Sequence, residues 1–205
     1  MRRLIIDTAT RACSVALFEG DLCIAAFHED IGRGHAERLV PMIAELPDKG
    51  RAAIINVDVG PGSFTGIRVG VSAARALALA WAAECHGYSC LDLIGSMARN
   101  GTDVAVDVVM TGGHGELYFQ SFEWDGIAKT HAQSLPPEVA ANFSKAGLVA
   151  GDMAHRLVAL RGAGHAVELL PNAQSWPGII ERPLLLPSPL YVRGPDAKLP
   201  GGIAP

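Results

Sequence analysis

Hydrophobic and polar positions along the chain fall into short runs that switch between two periods. Leu4-Ile-Ile6 ends on Asp7, and Cys13 to Phe18 and Leu22 to His28 follow as two further apolar runs, separated by Glu19-Gly20-Asp21. Strand-length runs bounded by turn residues predict three strands, with an antiparallel hairpin at the start. From His35 to Leu46 the apolar positions are Leu39, Met42, Ile43 and Leu46, a three- and four-residue spacing that predicts a helix. Pro41 lies inside it and is expected to kink or limit it. Ala53 to Val57 reads as a buried strand. Gly66, Gly70, Ala73, Ala74, Leu77, Ala78 and Trp81 then mark the smooth face of a long helix. His86 to Cys90 is a fifth strand, and Asp92 is expected to cap a short helix running to about Asn100.

The order is βββαβαβα, and a similar series begins again near residue 103. Asp103 to Met110 predicts a strand, and Gly115–Trp124 with Ile127–Gln133 predicts a hairpin around Asp125-Gly126. Pro136–Ser144 and Asp152–Leu160 predict helices, with strands at Gly147–Ala150 and Ala166–Leu169 between and after them. The fold class is therefore α/β, with two topologically related βββαβαβα lobes of which the second is reduced. That is the plan of the actin-like ATPase superfamily (ASKHA, ribonuclease H-like), in which a nucleotide lies between the halves. The lobes are assigned to residues 1–101 and 102–192, and 193–205 to an extended tail. Six prolines fall between residue 183 and the end, and no core pattern follows Val192.

The chemistry concentrates between Asp58 and Ala80. A strand, a tight glycine turn and a helix start aim backbone N–H groups at an anion, and Ser63 or Thr65 can cap the helix. The common phosphate motifs do not fit. No lysine follows Gly66, as a P-loop requires, and the spacing Gly60, Gly62, Gly66 places the third glycine one position late for a dinucleotide fingerprint. Ser63 is flanked by Pro61 and Thr65 rather than by the glycines of a nucleophile elbow. The competing reading is a turn that lets the helix pack closely on the sheet. Glycine inside a helix costs about 1 kcal/mol against alanine, so a helix carrying Gly66 and Gly70 lets something approach closely, either the sheet beneath it or another helix.

Of the 205 residues 49% are hydrophobic and 19% charged, and the net charge is −4, so the chain reads as globular and without a basic run to hold nucleic acid by itself. There is no 18-residue apolar run and no signal-peptide core, so a cytoplasmic location is expected, with no membrane partner. The four cysteines form no C-x-x-C pair, and the seven histidines include no i, i+4 pair, so no metal site is expected. His35 reads as an exposed polar residue or an interface hydrogen bond. Asp7, at the end of the first strand with Thr8 beside it, either handles a metal-bound phosphate or satisfies neighbouring turn amides.

Several segments resemble one family. Ile6-Asp-Thr-Ala-Thr10 with Cys13-Ser-Val-Ala-Leu17 resembles the first hairpin of the TsaB (YeaZ) family, in the Gcp/TsaD-like branch of the superfamily. Gly34-His-Ala-Glu-Arg-Leu-Val-Pro41 is similar to its first helix. Gly60-Pro-Gly-Ser-Phe-Thr-Gly-Ile-Arg68 is close to its hallmark segment. Gly115-Glu-Leu-Tyr118 and Pro189-Leu-Tyr-Val-Arg193 are similar to later family patterns. The family commonly carries Asp-Ala-Arg before the Gly-Glu-x-Tyr pattern; here Asp107 remains and the arginine is absent.

The resemblance implies a non-catalytic scaffold subunit that activates TsaD in making N6-threonylcarbamoyladenosine at position 37 of tRNAs reading ANN codons. It implies TsaD and the ATPase TsaE as partners, tRNA met only through the complex, and self-pairing when TsaD is missing. It implies no cofactor on this chain alone, with ATP and metal in the complex. The alternatives are a glycoprotease-like metallopeptidase and a nucleotide-binding enzyme. Pairing is expected through the two first-lobe helices, with His35, Leu39, Met42, Ile67, Gly70, Val71 and Ala74 as the contact residues. A charge at Val71 is expected to leave the fold intact and block pairing. Asp7, Thr8, Gly60, Gly62, Ser63 and Thr65 are the candidates for a vestigial nucleotide or anion site.

Overall fold

The computed structural model describes residues 1–179 and 181–192. The first lobe runs β1 (Arg2–Asp7), β2 (Ala12–Glu19), β3 (Leu22–Asp30), α1 (His35–Glu45), β4 (Ile54–Asp58), α2 (Phe64–Trp81), β5 (Glu84–Tyr88) and α3 (Cys90–Arg99). The second runs β6 (Val106–Thr111), β7 (Leu117–Phe122), β8 (Gln133–Leu135), α4 (Pro137–Phe143), β9 (Leu148–Ala150), α5 (Ala154–Arg161) and β10 (His165–Val167). Each lobe holds a five-stranded sheet, in the orders β3-β2-β1-β4-β5 and β8-β7-β6-β9-β10. In both, the first strand pairs antiparallel with the second and parallel with the fourth. This is the duplicated actin-like plan.

Alternation along β1 separates two layers. Leu4 and Ile6 join Leu39, Met42, Ile67, Val71 and Ala74 under α1 and α2. Ile5 faces the other way and packs with Phe18, Tyr88, Leu93 and Trp176. That second face is closed by a 3₁₀ segment, Ala173–Ile179, which returns from the second lobe to the first sheet and sets Trp176 edge-on to Tyr88. The lobes are joined through α3: Leu91 and Ile94 share one apolar cluster with Val106, Val108, Met110, Phe122 and Ala150.

Several local expectations are corrected. α1 continues through Pro41; the bond lost is one to the exposed Glu37, whose carbonyl water can satisfy. α3 is capped by Ser89, whose hydroxyl accepts from Leu91 N at 3.2 Å, and Asp92 sits inside the first turn. The strand expected over Ile127–Gln133 is reduced to one bridge between Phe122 and Ala128, and pairing resumes at Gln133. Thr130 is the reason. Its hydroxyl accepts from Ser121 N and its carbonyl from Gln120 Nε2, and Lys129 N donates to the Ser121 carbonyl at 2.8 Å, so side-chain bonds interrupt a ladder that backbone bonds still hold in part. The fifth strand runs Glu84–Tyr88, two residues earlier than expected, and β6 starts at Val106 because residues 103–105 are not buried.

The close approach that the glycines of α2 permit is to the sheet and not to another helix. A methyl group on Gly66 would fall against the Thr8 carbonyl oxygen, one on Gly70 against Thr8 Oγ1, and one on Gly62 against the Ala9 carbonyl. Gly66→Ala should therefore destabilise the chain. Alanine returns about 1 kcal/mol of helix propensity, but forcing a carbon into a backbone oxygen costs about 3 kcal/mol, for a net loss of about 2 kcal/mol. Gly147→Ala, where a methyl meets nothing within 4 Å, is the control and should be close to neutral. Urea unfolding of the two variants measures the difference.

Candidate functional site

The site is built from the carboxyl ends of β1, β4 and β5 and from the turn between β4 and α2. Gly60 adopts φ +104°, which a side chain rarely tolerates. Its N–H donates to Asp58 Oδ1 at 2.7 Å, and Ser63 N donates to the Ala9 carbonyl at 2.6 Å. Ser63 caps α2, with its hydroxyl accepting from Gly66 N at 3.2 Å. Thr8 Oγ1 donates to the Gly66 carbonyl at 2.8 Å. The turn thus directs the Gly60 and Ser63 amides inward. Thr8, Gly60 and Gly62 come together with Ser63 bonded beside them, while the side chains of Ser63 and Thr65 are both exposed.

Asp7 and Asp58 lie behind this turn, both wholly buried. Asp7 accepts from Tyr88 Oη at 3.0 Å and from Ala9 N at 3.3 Å. Asp58 Oδ1 accepts from Gly60 N and from Cys90 N, the latter at 3.1 Å, and Cys90 Sγ donates to the Pro61 carbonyl. The groups that act on the pair are Tyr88, Cys90 and each other, none of them cationic. Two carboxylates cannot both stay ionised there. Burial pushes Asp7 up to about 6, and burial together with the Asp7 charge holds Asp58 well above the usual carboxylate range. Among the described residues Asp58 Oδ2 has no hydrogen-bond partner. Burial also raises the Tyr88 phenol and the Cys90 thiol. A carboxylate handling a metal-bound phosphate would have to be ionised and open; Asp7 is neither free nor reachable. Among the described residues no three His, Cys, Asp or Glu side chains gather as metal ligands.

The seven residues expected to contact a partner are interior. Leu39, Met42, Ile67, Val71 and Ala74 are core, Gly70 lies against Thr8, and His35 is 8% exposed with Nε2 3.1 Å from the Ala12 carbonyl, to which it donates. Their apolar spacing marks the face that α1 and α2 turn to the sheet. A charge at Val71, 4% exposed, would therefore unfold the lobe and not merely block pairing. The outward faces carry Ala36, Val40, Pro41 and Ala44 on α1, and Arg68, Ala76, Leu79 and Ala80 on α2; Val40 is 58% and Leu79 87% exposed. The signal for these was a lone large apolar residue on the side facing away from the core.

In the second lobe Asp107 is also buried, but it is fully partnered. It accepts from the Ser121 and Ser144 hydroxyls and from Lys145 N and Ala146 N, and Arg161 Nη1 from α5 stands 3.8 Å away. An arginine therefore reaches this aspartate from a distant part of the chain.

The buried acid pair gives a pH dependence of known sign. An acid whose folded pKa is raised holds its proton more tightly when folded. Stability is then greatest below the unfolded value of 3.8 and falls as pH rises through the Asp7 value of about 6 and on towards that of Asp58. The slope is about 1.4 kcal/mol per pH unit for each extra proton held. Asp58→Asn keeps the acceptor for Gly60 N and Cys90 N and donates permanently to Asp7. It should fold, unfold later than the unsubstituted chain at pH 8, and flatten the pH dependence. Thermal unfolding between pH 5 and 9 checks this.

The family model described as TsaD, tRNA N6-adenosine threonylcarbamoyltransferase, matches residues 27–133, just over half of the chain. The Escherichia coli K12 protein named tRNA threonylcarbamoyladenosine biosynthesis protein TsaB is 34% identical over 153 residues, covering 68% of this chain and 64% of its own length. An uncharacterized Mycobacterium leprae protein is 29% identical and is covered over 55% of its length, so the chain spans less than two thirds of these two relatives. A Mycobacterium tuberculosis H37Rv protein, also uncharacterized, is 33% identical over 95% of this chain and 93% of its own. The solved structure of YeaZ from Pseudomonas aeruginosa superposes with a TM-score of 0.75 at 26% identity, covering 93% of this chain and 99% of that one. With its duplicated fold, its glycine segment and these relatives, the chain belongs to the TsaB (YeaZ) family.

Proposed function

We propose that this chain serves N6-threonylcarbamoyladenosine formation on tRNA as a non-catalytic subunit that pairs with TsaD and activates it. The name borne by its relatives supports the pathway. Catalysis would lie in TsaD, the tRNA position and the ANN codon set would follow from that enzyme, and TsaE would join the pair. ATP and metal would enter with these partners, and tRNA would be met through the complex. The observation that carries the reading is the outer surface of α1 and α2. These helices spend their glycine and large apolar faces on their own sheet and still expose Val40, Leu79 and several alanines. An outward helical face that mixes exposed apolar residues with a few charges suits an interface with an apolar centre and a polar rim. The counterpart is the matching helix pair of TsaD, and in its absence the same face would pair with a second copy of this chain.

Leu79→Glu tests this without touching the core, since the side chain is 87% exposed. The variant is expected to keep the thermal midpoint of the unsubstituted chain and to lose co-purification with TsaD, because a charge is buried unpaired at a cost of about 3 kcal/mol or more. The threonylcarbamoyl transfer assay on unmodified tRNA should fall in parallel. Normal binding and transfer by a folded Leu79→Glu chain would place the interface elsewhere.

A further inference from the structure

The segment after the 3₁₀ turn crosses back over the first lobe, and three prolines, Pro183, Pro187 and Pro189, stiffen it. Leu185 pairs with Gly87 on the outer edge of β5, donating to its carbonyl at 2.9 Å and accepting from its N–H at 2.7 Å. Leu190 N then donates to the Val59 carbonyl at 2.8 Å, immediately before the glycine turn. Gly87 makes room for this path, and Gly60 lies in ordinary contact with it. A methyl on Gly87 would press on the Leu186 carbonyl oxygen at 2.6 Å, and one on Gly60 would sit 3.5 Å from the Leu190 oxygen.

The end of the segment is held by side chains. Tyr191 Oη accepts from Arg68 Nε at 3.1 Å and from Arg68 Nη2 at 3.0 Å. The same guanidinium lies 3.5 Å above the Phe64 ring centroid, and the Phe64 and Tyr191 rings are 6.0 Å apart. Arg68 and Phe64 belong to the first turns of α2. The segment itself stays on the surface: Leu184 is 49%, Leu186 81% and Tyr191 54% exposed. A few backbone bonds and one cation–π clasp seat it, without core burial.

We propose that residues 184–192 are a strap that opens as a unit separate from the rest of the first lobe, with Arg68 and Tyr191 as its clasp. Seated, it covers the exposed edge of β5 and braces Val59 and Gly60, the entry to the glycine turn. Lifted, it bares a strand edge able to pair with another chain and frees the start of α2. Neither state requires a partner protein, so the inference stands apart from the proposed pairing with TsaD.

Amide hydrogen exchange on the full chain tests it. Tyr191→Ala removes the stack and the acceptor; Tyr191→Phe removes the acceptor alone. In Tyr191→Ala the amides of Leu185, Gly87 and Leu190 should exchange about tenfold faster, the loss expected for a hydrogen bond to a charged group with its stacking. Tyr191→Phe should fall between, and the amides of Leu4, Ile6 and Val15 in the central strands should not change. If the three strap amides stay within twofold of the unsubstituted chain, the clasp does not hold the strap. If the central amides speed up by the same factor, the segment is part of the global fold and not a separate unit. Either result overturns the proposal.

Discussion

The backbone of α2 lies directly on the turn between β1 and β2, and the first lobe depends on that approach. Gly62 in the preceding turn and Gly66 meet the backbone of Ala9 and Thr8 directly, and Gly70 meets the Thr8 side chain; Thr8 Oγ1 and Ser63 N stitch the two surfaces with hydrogen bonds. Once α2 is set at that height, Ile67, Val71 and Ala74 reach the sheet beside Leu39 and Met42 of α1. The same geometry turns the amides of Gly60 and Ser63 inward, which is why a segment with the outline of a phosphate loop is occupied by its own fold.

The acid pair is the second consequence. Bringing the ends of β1 and β4 together under the turn places Asp7 beside Asp58 with no cation among the described residues, and the two carboxyls are held back from ionising together. Tyr88 and Cys90 complete the enclosure from β5 and α3. In a chain of this fold an acidic residue at the end of β1 invites a nucleotide reading. Here it acts as a hydrogen-bonded brace, and its chemistry appears in the pH dependence of folding.

The first lobe was legible in sequence because each element had a distinct period and a punctuating turn: Asp7 after the β1 run, Gly20 in the hairpin, and the glycine turn before α2. The second lobe was less so where Thr130 interrupts a ladder, since a side chain that bonds a strand from nine residues away leaves no periodic trace. The seven residues expected at a partner face lie on the core side of the helices. Leu39, Met42 and Val71 at helical spacing look the same whether they face a core or a partner, and only the sheet beneath them decides. Val40 and Leu79, lone apolar residues on the opposite side, mark the faces the helices turn outward. Asp58, Tyr88 and Cys90 were invisible as partners of Asp7, because strand order and not sequence distance joins them.

The central claim, that the glycine face of α2 is consumed by contact with the β1–β2 turn, is tested most directly by a double-mutant cycle between Thr8 and Gly70. A methyl on Gly70 would strike Thr8 Oγ1 and little else at short range, so Thr8→Ala vacates the space that Gly70→Ala needs. Stability of the two single variants and the double variant is measured by urea unfolding. The double variant should lose less than the two singles together, by about 1 kcal/mol or more. Effects that add within about 0.5 kcal/mol would show that the two positions do not meet, and the packing account of the glycine segment would fail.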